Sequence, residues 1–154
     1  MKEKVEIVRP SPEISKLQDE VIAKLSKLLP NSIVESIGSM AVPISGKSEI
    51  DVMIVSNNVI DDSRLISQRD YRQQRFVDGV SYLLTKRNGI RIDLQIFPAG
   101  HKMIEIHRKI LRKLKENPKL RESYEEFKKS IDGLSRDDYK KKKSKWIESN
   151  ILGK

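Results

Sequence analysis

The chain has 154 residues and a mass of 17.8 kDa, the length of one domain, with 37% hydrophobic, 5% aromatic and 34% charged residues. No cysteine is present, which excludes a disulfide scaffold, a thiolate zinc site and a cysteine nucleophile, and two histidines, His101 and His107, exclude a histidine-rich metal centre. The net charge of +9 is uneven: residues 1–101 carry 14 Lys+Arg against 13 Asp+Glu, whereas residues 102–154 carry 17 against 9, so the C-terminal third either attracts polyanions or coats helices with solvated lysine.

Met1-Lys2-Glu3-Lys4-Val5 lacks the apolar centre of a signal peptide, and no apolar run approaches the ~20 residues of a membrane span, so the expected compartment is the cytoplasm. Val5 and Ile7 begin a short strand that ends at Arg9-Pro10. Ser11-Pro12-Glu13 opens a helix, with Ser11 as cap, and Ile14, Leu17, Val21, Leu25, Leu28 and Leu29 form its apolar stripe up to Pro30-Asn31. Residues 32–37 read as a strand, and the Gly-, Ser- and Pro-rich residues 38–48 as a loop. Ile50-Asp51-Val52-Met53-Ile54-Val55 is a buried-strand pattern interrupted by one carboxylate. Residues 61–78 are polar and expected to be helical. Residues 80–86 and 90–97 flank Arg87-Asn88-Gly89 and predict a hairpin. Three helices follow: one with Ile104, Ile110, Leu111 and Leu114, one capped by Asn117 with Leu120, Tyr124, Phe127 and Ile131, and one from Tyr139 to Ile151.

Glu49 and Asp51 stand two apart at the entry of the buried strand, so both carboxylates face one side and Ile50 and Val52 the other. Asp93 lies within Ile90-Arg91-Ile92-Asp93-Leu94-Gln95-Ile96, and joins them if that arm pairs beside the first strand. Three crowded carboxylates repel one another unless a cation intervenes, and hard oxygen ligands suit Mg²⁺ or Mn²⁺ with phosphate oxygens completing the shell. Acids that simply face solvent on an uncovered sheet are the competing reading. Gly38-Ser39 follows a predicted strand and precedes Glu49 by nine intervening residues. Glycine permits close backbone approach, and neighbouring amides with the Ser39 hydroxyl suit a phosphate oxygen. Lys47, in the same loop, either touches a phosphate or is solvated.

The succession strand, Gly38-Ser39, loop, Ser48-Glu49-Ile50-Asp51, strand, then a later strand acid, resembles the nucleotidyltransferase superfamily that includes polymerase beta. The resemblance implies that Gly-Ser contacts a triphosphate while three carboxylates hold two metals. Val34-Glu35-Ser36-Ile37-Gly38-Ser39-Met40-Ala41-Val42-Pro43 is also similar to the signature of the GrpB family, as are Asn117-Pro118, Leu120-Arg121, Tyr124, Lys128, Tyr139, Lys143 and Trp146-Ile147. That likeness implies a nucleotidyltransferase-like fold with a helical C-terminal portion, and makes Tyr124, Lys128 and Lys143 pocket residues. The chain departs from the family pattern at Ser36, where members usually have His, in a loop about one residue shorter, and in carrying Glu49, Asp51 and Asp93 together, the pattern of active transferases.

The expected fold is therefore α+β: a mixed sheet core over residues 1–100 with packed helices, and a basic helical segment, 101–154, packed on it. The expected function is Mg²⁺-dependent transfer of a nucleoside monophosphate from a nucleoside triphosphate to an unidentified acceptor. Two other readings stand beside it: an inactive nucleotide- or polyanion-binding module on the same fold, and nucleic-acid binding through Lys140–Lys143 and Lys145 with Tyr139 and Trp146. Against the last, Tyr139 and Trp146, seven apart, are expected to pack inward while the lysines reach solvent. His107 is expected to be a packing or surface residue rather than a ligand.

Overall fold

The computed structural model describes residues 4–9, 11–38, 42, 46–47 (backbone only) and 49–153. The strands are β1 (Ile7–Val8), β2 (Ile33–Ile37), β3 (Gly46–Lys47), β4 (Glu49–Ser56), β5 (Arg72–Val77), β6 (Val80–Arg87) and β7 (Ile90–Pro98), and the helices α1 (Pro12–Leu28), α2 (Val59–Ser67), α3 (Lys102–Glu116), α4 (Pro118–Ser130) and α5 (Arg136–Asn150). Five strands form one mixed sheet in the order β2-β4-β7-β6-β5. β4 and β7 run parallel and the other neighbours antiparallel, while β1 and β3 make a separate short pair.

The strand alternation sorts side chains between two layers. Ile50, Val52 and Ile54 of β4, Ile92, Leu94 and Ile96 of β7 and Leu83 of β6 pack beneath α1 and α2. On the other face Ile37, Met53, Val80 and Phe97 pack against Ile104 of α3. Leu114, Tyr124 and Ile151 then join α3, α4 and the end of α5, with Trp146 stacked on Tyr124 at 4.9 Å and Phe127 at 5.4 Å. Tyr139 is buried with Val5 and Ile131. The expected inward packing of Tyr139 and Trp146 is thus what the fold uses.

Local signals account for the helix starts. Ser11 Oγ accepts the Ile14 amide at 3.2 Å with Pro12 at the first position of α1, and Asn117 Oδ1 accepts the Leu120 amide at 3.1 Å. Gly46–Lys47, expected as loop, form β3; the last helix, expected from Tyr139, opens at Arg136 behind the Ser135 cap; and one expectation fails outright. Residues 61–78 are not one helix: α2 stops at Ser67, and Arg72–Val77 form the edge strand β5. Every β5 residue is exposed, so no alternation marks it as a strand. Its true signal is Asp78-Gly79, where φ values of 52° and 78° make the same kind of tight turn as Asn88-Gly89 at 52° and 77°.

Candidate metal and nucleotide site

Antiparallel pairing of β2 with β4 sets Ile37 opposite Asp51, and parallel pairing of β4 with β7 sets Glu49 beside Arg91 and Asp51 beside Asp93. Glu49, Asp51, Arg91 and Asp93 therefore share the face turned toward α3–α5. One carboxylate oxygen from each of the three acids lies within 4.8 Å of the others. The strand pattern predicts the Glu49–Asp51 pair, the β4–β7 pairing adds Asp93, and three hard oxygen donors at that spacing fit a divalent cation of the Mg²⁺ or Mn²⁺ type.

Gly38 closes the site from β2. Its φ is +86°, and a Cβ added there would stand 2.6 Å from Asp51 Oδ2, so only glycine lets the strand end approach that carboxylate. Ser39 and the Lys47 side chain lie outside the described residues.

Two of the acids already have cation partners. Arg136 Nη1, on the first turn of α5, donates to Glu49 Oε1 at 2.6 Å, and Arg91 Nε donates to Asp93 at 3.0 and 3.1 Å. The Glu49 side chain is 8% exposed and that of Arg136 21%, making this pair the more sheltered of the two. Burial, followed by the Glu49 charge, raises the Asp93 pKa; Arg91 and then Arg136 oppose the rise. Tyr124 and Tyr139 are pushed well above the usual phenol range, by burial first; the Asp51 charge adds to the effect on Tyr124, and Tyr124, Glu49 and Asp51 to that on Tyr139. Both phenols are therefore neutral neighbours of the acids at physiological pH.

The acids form the floor of a cavity of about 660 Å³ roofed by α3 and α5, within the size range of small-molecule sites. Tyr124 and Lys143 line it, and Lys128 is fully buried beside it with Nζ 4.5 Å from the Tyr124 ring centroid. The basic run divides: Arg136, Lys140, Lys143 and Ile147, at helical spacing, line the cavity, whereas Lys141, Lys142 and Lys145 are exposed. His107 also lines the cavity and packs on Phe97 at 5.8 Å; burial, then the Lys143 charge, lowers its pKa. His101 serves as the α3 cap, accepting the Met103 amide at 3.1 Å.

Sequence reasoning missed Arg91 and Arg136. Arg91 was legible in retrospect, since it stands two residues before Asp93 on one strand and so shares its face. Arg136 lies 87 residues from Glu49 and carries no local signal.

Comparison with known proteins gives a family and a fold. The family model described as GrpB protein matches residues 4–152. A UPF0157 protein of Vibrio cholerae is 27% identical over 135 residues, covering 84% of this chain and 71% of that protein. The crystal structure of conserved protein GrpB from Enterococcus faecalis superposes with a TM-score of 0.71, at 23% identity, over 93% of this chain and 98% of that one. The GLD-2/RNP-8 complex gives a TM-score of 0.59 at 11% identity over 92% of this chain and 61% of that one. Cid1 poly(U) polymerase, with Mg and 3′-dATP bound, gives 0.55 at 11% identity over 73% and 39%. At these identities the structural likeness is one of fold, shared with GrpB from Enterococcus faecalis and with the GLD-2 and Cid1 structures.

Proposed function

This chain belongs to the GrpB family, and from that premise we propose that it is a divalent-metal-dependent nucleotidyltransferase, moving a nucleoside monophosphate from a nucleoside triphosphate to a hydroxyl-bearing acceptor. The observation that carries the reading is the in-register Asp51–Asp93 pair with Glu49, their oxygens within 4.8 Å, beside Gly38, where a Cβ would clash with the Asp51 carboxylate. The Cid1 structures among the fold neighbours, a poly(U) polymerase with Mg and 3′-dATP bound and a complex with the UTP analog UMPNPP, support the same class of substrate. Residues 1–100 would be the catalytic core and 101–154 the basic segment that roofs it.

In this reading Glu49, Asp51 and Asp93 would hold Mg²⁺ or Mn²⁺, which would supply positive charge against the phosphate oxygens during the in-line displacement. Gly38 and Ser39 would cradle the triphosphate, with Lys47 from the same loop; Tyr124 and Lys143 line the cavity, whereas Lys128 is outside its lining and acts on it only through its contact with the Tyr124 ring. The acceptor oxygen bonds to the α-phosphorus, the bond to the α,β-bridging oxygen breaks, pyrophosphate leaves, and Asp93 receives the acceptor proton.

A test needs no acceptor. Mn²⁺ at about 100 times its dissociation constant should stabilise the native state by ~2.7 kcal/mol, raising Tm by roughly 5–10 °C. Glu49→Gln with Asp51→Asn should abolish that rise; an undiminished rise in the double variant would move the metal elsewhere.

The Arg136–Glu49 and Arg91–Asp93 pairs favour a second reading, a nucleotide-binding module whose acids are balanced by arginine. Pyrophosphate release separates it from the first. For the exposed lysines, replacing Lys141, Lys142 and Lys145 with Gln should leave triphosphate affinity within about twofold, since screened surface charges contribute little. A large loss of RNA affinity, steeply salt-dependent in the parent, would instead make that face a nucleic-acid surface.

A further inference from the structure

The edge strand β5 carries a bulge. Gln73 pairs with Leu83 and Arg75 with Tyr82, leaving Gln74 as the extra residue. Regular pairing would set Arg75 opposite Ser81, whose hydroxyl lies 2.7 Å from Ser63 of α2 in the other layer. The bulge instead turns Arg75 to the cavity face, with its guanidinium carbon 4.3 Å from the Tyr82 ring centroid, and Gln74, Arg75 and Tyr82 all line the cavity. Bulges beside sites commonly re-aim one side chain in this way.

Arg75 differs from the other cavity arginines. Arg136 is paired with Glu49 and Arg91 with Asp93, whereas Arg75 has no carboxylate partner among the described residues. A guanidinium stacked on a phenol ring keeps its in-plane N–H fork for an anion. Tyr82 pairs with Gln95 and Leu84 with Asp93, so the Arg75–Tyr82 stack stands across β6 and β7 from the acid assigned to the acceptor.

We infer that the Arg75–Tyr82 stack is the acceptor-recognition element, and that the acceptor is a small hydroxylated molecule bearing a phosphate or carboxylate. The term acceptor rests on the transferase reading; the anion site at Arg75 does not. The forked cation sets the anionic group, and the acceptor hydroxyl extends along the sheet toward Asp93.

The experiment is an amide NMR titration of the full chain with inorganic phosphate and, separately, acetate, with and without a non-hydrolysable triphosphate and Mg²⁺. Phosphate should shift the Gln74, Arg75 and Tyr82 amides, and Arg75→Gln should weaken that response about tenfold or more while leaving the triphosphate-induced shift at Gly38 unchanged. Acetate matching phosphate at the same amides would assign a carboxylate-bearing acceptor, and phosphate alone a phosphorylated one. If Gly38 does not respond to triphosphate but phosphate still titrates β5 and β6 through Arg75, the transferase reading falls and the anion site stands. Unmoved β5 and β6 amides, or shifts equal in Arg75→Gln, overturn the inference. A short RNA that shifts the same amides at far lower concentration than phosphate would replace the small acceptor with a nucleic-acid end.

Discussion

Asp93→Asn should reduce pyrophosphate release by about 10²–10⁴-fold, the range for losing a positioned acid–base group. The change preserves shape and hydrogen bonding but removes both the charge that holds a metal and the group that takes the acceptor proton. Triphosphate affinity should survive, because Gly38 and Asp51 remain. The same variant should be more stable than the parent in the absence of metal. Burial and Glu49 raise the Asp93 pKa, so the folded state holds the proton more tightly than the unfolded chain. Asp93 therefore costs stability progressively as pH rises from the ordinary carboxylate value of 3.8 through its raised folded value. The Tm advantage of Asp93→Asn should grow over that interval and level off above it. Adding Mg²⁺ should reverse the order, because the parent then gains a ligand that the variant binds poorly. If the parent releases no pyrophosphate with any acceptor, and the variant stays more stable with Mg²⁺ present, the binding-module reading replaces the transferase.

Glu49 and Asp51 were legible as a pair because a strand repeats every two residues. Glu49 and Asp51 had to share a face, and the apolar residues between and after them said which face was core. That Asp93 joins them depends on β7 lying beside β4, a pairing between strands separated by α2 and a whole hairpin, and no spacing rule predicts it. The helices α1 and α4 announced themselves through Ser11-Pro12 and Asn117-Pro118. β5 did not, because an edge strand with both faces in solvent has no hydrophobic period, and Asp78-Gly79 was its one marker. The cation side of the site was the least legible part. Arg136 reaches Glu49 only because α5 folds back over the sheet, and Arg75 enters the cavity only because of a one-residue bulge. Both depend on long-range register, which charge composition does not encode.

The two ion pairs also explain how the acids remain close without metal. Like charges at this spacing repel, and Arg136 on Glu49 and Arg91 on Asp93 supply compensating positive charge. Any cation that binds must therefore compete with Arg136 for the most sheltered carboxylate. Arg136→Gln should accordingly tighten Mn²⁺ binding at the acids, measured by calorimetry, while lowering the Tm of the metal-free chain because Glu49 is left buried without that partner.

Gly38→Ala should be damaging out of proportion to the addition of one methyl group. A residue with a side chain at φ +86° incurs a backbone cost of roughly 1–2 kcal/mol, which at this chain length lowers Tm by about 2–8 °C. The larger effect is on the site. The new Cβ would stand 2.6 Å from Asp51 Oδ2 and 3.2 Å from Asp51 Cβ and Cγ, so either β2 or the carboxylate must move. Asp51 sits mid-sheet between Ile37 and Asp93, and the strand backbone is held by ladders on both sides, so the side chain is what gives way. A displacement of about 1 Å at a reacting centre costs on the order of 10²-fold in rate. The expected outcome is a folded, moderately destabilised protein with at least that loss of turnover and a blunted Mn²⁺ response in Tm. Gly100, also at positive φ but with open space where a Cβ would go, is the control: Gly100→Ala should show a comparable backbone cost with the metal response intact. Equal Mn²⁺ responses in the two variants would mean that the closeness of Gly38 to Asp51 has no part in binding the cation.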